Sequence, residues 1–232
     1  MQLPYFYEEN IPESGSFFLT EETSKHIAVL RMKEGEVINI TNGKGILLSS
    51  FIILLNKKKV EVAVTNKKFF PRPNLKITIA ISPVKNNNRF EWFLEKATEI
   101  GISEIIPLLC DRSEKSTLKT ERLNNIVISA MLQSRQSWMP LLKETTRFSE
   151  IIKDNANEEK FIAHCNDIEK KALKDFHSST LSRVILIGPE GDFTDDEISA
   201  AIQQNFIAVS LGETRLRTET AGIVAAALLM NR

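Results

Sequence analysis

The sequence predicts an α/β protein of two parts, a small β-rich domain followed by a larger domain built on a parallel sheet. Three observations predict it. Short apolar runs joined by turn residues fill Phe17 to Asn66; Pro71 and Pro73 then break the pattern; from Leu75 onward, strand-like and helix-like segments alternate. Two prolines in three positions continue neither a helix nor a central strand. The boundary is placed there, giving domains 1–71 and 72–232. The alternation that follows is that of βα units.

Within the first part, Thr20 is placed to cap a helix running to Leu30, with Ile27 and Leu30 on one face. Val37 to Thr41 meets a strand starting at Ile46 across Asn42-Gly43-Lys44-Gly45, and Asn-Gly between apolar runs signals a hairpin. Phe51 to Leu55 reaches Val60 to Val64 across Asn56 to Lys59, and Val60, Val62 and Val64 alternate with Glu61 and Ala63. This alternation marks a half-buried antiparallel strand, and several such strands in succession predict a small barrel or sandwich.

In the second part, a strand from Leu75 to Ile81 precedes a helix from Arg89 to Ile100 closed by Gly101. Glu104 to Leu109 is the next strand, and a long helix is expected from about Lys119 to Ser137. A shorter helix near Phe148 to Asp154 follows. Lys160 to Ala163 is a strand, and Ile168 to Phe176 takes the next helical slot of the alternation. Trp92 and Phe93 are assigned to the core, and Trp138 to packing at a helix end.

Composition bounds the function. The 232 residues are 42% hydrophobic and 26% charged, ordinary for a globular protein. No run approaches the roughly 18 apolar residues of a membrane span. The N-terminal segment has no basic stretch leading into an apolar one, so a cytoplasmic protein without a secretory signal is expected. Cys110 and Cys165 stand far apart without C-x-x-C spacing, which argues against a disulfide framework or a metal site and makes both structural thiols. His164 and His177 lack Asp or Ser partners at triad-like spacing. The net charge is zero, yet residues 1–89 hold 13 basic against 8 acidic residues. This surplus permits a polyanionic partner for the N-terminal part, although lysines such as Lys57 to Lys59 also protect strand edges.

The candidate chemistry lies in two strand-loop-helix units. Arg183 to Ile187 runs into Gly188-Pro189-Glu190-Gly191, and Thr194 with Glu197 forms a capping box before a helix. Val209 to Leu211 ends a second strand; Gly212 to Thr218 is a charged loop; Thr220 or Ala221 begins an apolar helix. Loops at the carboxyl ends of neighbouring parallel strands are where an open α/β sheet places its ligand. No P-loop and no G-x-G-x-x-G is present. Glu190, Asp192, Asp195 and Asp196 would repel a phosphate at this helix end, so a ribose or a cationic ligand suits it better.

These loops resemble a known family. Gly-Pro-Glu-Gly-Asp-Phe-Thr and Leu-Gly-Glu-Thr-Arg-Leu-Arg-Thr-Glu-Thr-Ala look like the signature loops of the ribosomal small-subunit rRNA uridine-N3 methyltransferases (RsmE), of the SPOUT class. His26 to Gly35 resembles the family's PUA-like module, Glu95 to Gly101 its first long helix, and Asp111-Arg112-Ser113 the loop after the next strand. The resemblance implies an N-terminal PUA-like β-barrel that binds RNA. It also implies a C-terminal SPOUT domain tied in a deep trefoil knot, an exception to the rule that chains do not thread. The implied activity is S-adenosylmethionine-dependent methylation of uridine N3 in 16S rRNA, with the small ribosomal subunit as partner and a homodimer as the working form. A ribose 2′-O methyltransferase of the same fold, or a non-catalytic RNA-binding assembly protein, is the alternative.

By the same resemblance, Gly188, Glu190 and Gly191 form one cofactor loop, Leu211 and Gly212 another, and Leu216 to Thr218 a third wall. Arg217 and Glu219 are the expected catalytic pair. Arg31, Arg112, Gln133 and Arg135 are expected at the RNA. Four departures stand out. Asp192 occupies a position that is glycine in many members, Thr214 one that is usually arginine, and Arg215 one that is aliphatic. Leu132-Gln-Ser-Arg-Gln136 differs from Glu-Gln-Ser-Gly-Arg, so Gln133 and Ser134 carry over while the acid and the final arginine do not, and Arg135 is the candidate substitute for that arginine from an adjacent helical position.

Overall fold

In the computed structural model, which describes residues 3–56, 59–114, 118–176 and 181–230, the chain forms two units. One is Met1–Arg72 with Met131–Met139, the other Pro73–Ala130 with Pro140–Arg232. Lys57, Lys58 and His177 lie outside the described residues.

The first unit is a five-stranded sheet in the order β1 (Tyr5–Tyr7), β3 (Val37–Thr41), β4 (Ile46–Asn56), β5 (Lys59–Phe69) and β2 (Ser16–Phe18). Helix α1 (Glu21–Val29) is capped by Thr20, whose side chain accepts from the Thr23 N–H. The predicted hairpin is present, with Thr41 opposite Leu47. Its turn closes because Asn42 Oδ1 accepts from the Lys44 and Ile46 N–H groups, at 2.9 and 3.3 Å. The two strands expected from Ile46 to Leu55 are one. Register shifts at Ser49/Ser50 and Ile52/Leu54 leave one extra residue in β5, Thr65, and one in β4, Ile53. Ile38, Ile40, Leu48, Ile52, Val60 and Val62 meet Phe6 and Ile27 in the core.

The second unit is an all-parallel sheet. Its strands are β6 (Lys76–Ile81), β7 (Glu104–Leu109), β8 (Leu141–Leu142), β9 (Thr146–Arg147), β10 (Glu159–Ala163), β11 (Lys171–Ala172), β12 (Ser182–Ile187) and β13 (Ile207–Ser210). They lie in the order β11-β13-β10-β12-β6-β7-β8, with β9 also paired to β7. The helices are α2 (Asn87–Ile100), α3 (Thr120–Gln133), α4 (Phe148–Lys153), α5 (Asp195–Gln203) and α6 (Thr218–Met230). The near-continuous apolar run of β12 is that of a parallel strand covered on both faces; Val184 to Ile187 are at most 2% exposed. Gly101 closes α2 in the left-handed conformation, as expected.

Several expectations are corrected. β12 and β13 are not neighbours, because β10 lies between them. Ile168 to Phe176 forms a short edge strand against β13 and a single 3-10 turn instead of a helix. Here Lys170 Nζ donates to the carbonyls of His164 and Asn166, holding the segment in a turn. Helix α3 ends at Gln133 because Arg135 takes a φ of 57° and the Ser137 carbonyl accepts from the Gly45 N–H. Arg135 is therefore a turn residue, not a helical neighbour of Gln133. Phe93 is fully buried, whereas Trp92 is 44% exposed, since adjacent helical residues point about 100° apart. Strands β8 and β9, two residues each, are too short to leave a pattern.

Helix α6 starts at Thr218, earlier than its apolar run suggests. It packs on α2 and β6, and Gly222 permits this. A Cβ there would stand 2.6 Å from Phe93 Cε2 and 2.7 Å from Ile81 Cδ1, closer than packing tolerates. This close approach fixes the position of the helix's first turn.

Candidate active site

The carboxyl ends of β10, β12 and β13 open into one cavity of about 830 Å³, within the range of ligand sites. Ala163 to Cys165, Ile187 to Glu190 and Val209 to Thr218 supply most of its wall, with Arg89 from α2 and Ala221 from α6.

The loop after β12 is built from backbone constraints. Gly188 lets Phe193 fold beneath it: a Cβ at residue 188 would stand 3.0 Å from Phe193 Cδ2, and Phe193 is 1% exposed in the core. Asp192 adopts a φ of 62°, left-handed backbone that Asp tolerates better than most residues. Its Oδ1 accepts from the Phe193 N–H at 2.8 Å and its Oδ2 from the Cys165 N–H at 2.7 Å. The loop is thereby tied to the end of β10. Arg112 Nη1 donates to the Gly191 carbonyl at 2.9 Å. The predicted capping box is present, and Glu197 Oε1 also accepts from the Asp111 N–H at 2.9 Å.

The second wall meets the first through one hydrogen bond. Thr218, 6% exposed, donates from Oγ1 to the Gly188 carbonyl at 3.1 Å. Because α6 begins at this residue, its hydroxyl is held in place by the first helical turn, which the Ala221 N–H closes on the Arg217 carbonyl. Glu213, Thr214 and Arg215 make no hydrogen bond or ion pair among the described residues.

Arg89 joins both walls electrostatically. Its Nη1 lies 3.5 Å from Glu190 Oε1 and its Nε 3.7 Å from Glu219 Oε1. Glu219 is 7% exposed and its Oε2 has no hydrogen-bond partner. It does not wall the cavity; it lies behind, facing Arg89. The floor at the end of β10 contains His164, 7% exposed, whose pKa is lowered by burial and then by the charge of Lys170. Beside it, Cys165 is exposed, so it is not a buried structural thiol like Cys110. Burial and then the Asp192 carboxylate raise the Cys165 pKa.

Of the expected residues, Gly188, Glu190, Leu211, Gly212, Leu216, Arg217 and Thr218 wall this cavity together. Gly191 sits just outside, against the Arg112 side chain. Arg31, Gln133 and Arg135 are exposed residues of the first unit. Sequence reasoning misses Arg89, His164, Cys165 and Lys170. A signal is available for two of them: His164 and Cys165 directly follow an apolar strand, in the position that draws attention to the other two loops. Among the described residues, no cluster of three or more His, Cys, Asp or Glu could hold a metal ion. No helix among them is long and apolar enough to cross a membrane.

Residues 71–230 match the RNA methyltransferase domain family, and residues 19–65 match the RNA methyltransferase PUA domain. The fold and cavity are therefore those of an RNA methyltransferase preceded by a PUA domain. Among relatives, the ribosomal RNA small subunit methyltransferase E of Rickettsia conorii is 28% identical over 96% of this chain and 92% of its own length. The enzyme of the same name from Bacillus subtilis is 28% identical over 95% and 93%. A probable rRNA methyltransferase from Porphyromonas gingivalis superposes with a TM-score of 0.90 at 37% identity, covering 97% of this chain and 95% of that one. A ribosomal RNA small subunit methyltransferase E from Neisseria gonorrhoeae, solved bound to S-adenosylmethionine, gives 0.89 at 30% identity over 97% and 96%. The chain belongs to the ribosomal RNA small subunit methyltransferase E family.

Proposed function

We propose that this chain is an S-adenosylmethionine-dependent methyltransferase acting on N3 of a uridine in 16S rRNA. The observation that carries the reading is the convergence of seven expected cofactor and catalytic residues on one cavity at three strand ends. The cavity chemistry fits the cofactor. Ile187, Val209, Leu211 and Leu216 offer apolar surface for a purine; Glu190 and Asp192 suit an amine and a sulfonium; Arg89 and Arg215 suit a carboxylate.

S-adenosylmethionine supplies the electrophilic methyl. As the methyl arrived, N3 would lose its proton to solvent, and the cofactor would leave as a neutral thioether. The chain's task is to place N3 in line and to stabilise charge appearing on the uracil oxygens. Arg217, in the cavity wall, is the residue assigned to that charge. Glu219, buried beside Arg89, orients Arg89 and through it the Glu190 loop.

The N-terminal domain, residues 1–71, is assigned to RNA binding, with Arg31, Gln133 and Arg135, while Arg112 serves both its loop and the RNA. The half-buried Ile223, Val224 and Leu228 of α6 support a homodimer. The return of α6 from β13 to β6 and α2, past β10 and β12, supports the expected knot. An rRNA substrate implies a cytoplasmic enzyme.

Calorimetry with S-adenosylmethionine tests the cofactor; absence of binding overturns every enzymatic reading. Mass spectrometry of rRNA nucleosides from a deletion strain should show loss of 3-methyluridine, and loss of a 2′-O-methyl nucleoside instead would replace the reading. Unchanged turnover in both Arg217→Ala and Glu219→Gln would remove the catalytic assignment. Raising the salt concentration should weaken RNA binding and spare cofactor binding.

A further inference from the structure

The far end of the β4–β5 hairpin carries rings and cations that the cofactor cavity does not use. Beyond Val64, residues 65–69 of β5 are all exposed. Phe69, opposite Ile46, leaves 61% of its surface open. Its ring stands edge-on to Trp138, with centroids 6.5 Å apart and planes at 74°.

Trp138 is fixed in place. Its Nε1 donates to the Phe70 carbonyl at 2.9 Å, and its indole lies so close to the turn that a Cβ on Gly45 would approach Cζ2 to 2.7 Å. It is a rigid wall, and Phe69 is the open ring beside it. Two cations complete the group: Arg72 lies over the Trp138 ring at 5.4 Å and Lys68 over the Phe70 ring at 4.3 Å.

No ion pair among the described residues engages Lys68 or Arg72. Of the three cations from Thr65 to Arg72, Lys67 is paired with Glu13 at 2.9 Å, which leaves Lys68 and Arg72, and the segment itself holds no carboxylate. A protein interface of this kind would be unusual, because lysine is depleted from such surfaces. Open aromatic faces beside unneutralised cations are the combination that takes single-stranded nucleic acid, with bases on the rings and phosphates on the cations. Duplex RNA hides its base faces in the stack and would use only the cations.

We propose that Phe69, with Trp138 behind it and Lys68 and Arg72 beside it, is a stacking platform for an unpaired stretch of the substrate rRNA. The inference rests on the reading that RNA is the substrate, but it is tested apart from methyl transfer. The full chain is titrated with a fluorescein-labelled unstructured oligouridine and with an RNA duplex of equal length. Phe69→Ala should weaken oligouridine binding by roughly 5- to 150-fold, the range for removing one stacked base. Its duplex binding should not change, and Phe69→Tyr should restore the oligouridine affinity. Lys68→Gln with Arg72→Gln should lower the salt slope by about 0.7 for each phosphate that is no longer neutralised. Unaltered S-adenosylmethionine affinity in each variant establishes that it is folded.

Equal oligouridine affinity in wild type and Phe69→Ala overturns the platform. So does full affinity in Phe69→Leu, which would reduce the ring to a greasy surface. A dimer that dissociates on sedimentation of Phe69→Ala would instead assign the ring to a second copy. If the wild type fails to bind S-adenosylmethionine yet binds oligouridine through Phe69, the enzymatic reading falls and the platform stands.

Discussion

The two walls of the cavity are built in opposite ways. The Gly188–Phe193 wall is fixed by its own chemistry: Asp192 bonds to two backbone N–H groups, Arg112 holds the Gly191 carbonyl, and Phe193 is anchored in the core. The Gly212–Arg217 wall contains Glu213, Thr214 and Arg215 without hydrogen bonds or ion pairs among the described residues, and its end is tied to the first wall by the Thr218 hydroxyl and, through Arg89, by Glu219. A rigid half can hold a constant ligand in a constant pose, whereas a loosely tied half can settle around a large substrate that arrives later. The same family of loops thus divides its work between preorganisation and adaptation.

Four perturbations sharpen or break this contrast, taken in order of expected effect. Arg217→Ala should lower the single-turnover methylation rate by about 10²- to 10³-fold while S-adenosylmethionine affinity in calorimetry stays near wild type; a parallel fall in affinity would make Arg217 a binding residue. Asp192→Ala should cost about 2–3 kcal/mol in urea unfolding, from two missing hydrogen bonds and a strained left-handed residue. Asp192→Gly, which suits that backbone, should cost less. Equal losses would mean that the carboxylate alone matters.

Smaller effects are expected elsewhere. Thr218→Val removes the direct hydrogen bond between the walls and should weaken cofactor binding by about 1 kcal/mol, roughly fivefold. His164 gives the contrast a pH signature. Its depressed pKa means that the unfolded chain takes up the proton first, so stability is full above the ordinary value of 6.5 and is lost as pH falls through the folded value. Thermal melts at pH 5 and 7.5 should therefore differ more for wild type than for His164→Gln. The reverse ordering would remove His164 from the rigid floor.

Much of this is legible in the sequence, and the gaps have physical causes. Every strand of four residues or more can be anticipated, because alternating or continuous apolar runs report burial directly. The end of α3 is misplaced by sequence because Arg135 carries no conformational signature of its own. Its left-handed φ appears only in the structure, where it explains why relatives are expected to hold glycine there. Asp192 repeats the lesson at the cavity: both departures from the family's glycine pattern fall on residues with positive φ. The site is half legible. The loops after β12 and β13 advertise themselves through Gly, Pro and charge, whereas Arg89 reaches the cavity from a helix about 100 residues earlier in the chain, and no local pattern encodes that meeting.

The strand order also has a consequence in time. β6 is complete at Ile81, yet its partner β12 begins only at Ser182, and β10 must leave room for β12 on one side and β13 on the other. A nascent chain emerging from the ribosome therefore holds an open sheet edge and no cavity until α6 has been made. Pairings this distant in sequence also slow folding. Activity should appear abruptly with completion of α6 rather than accrue as the domain is synthesised.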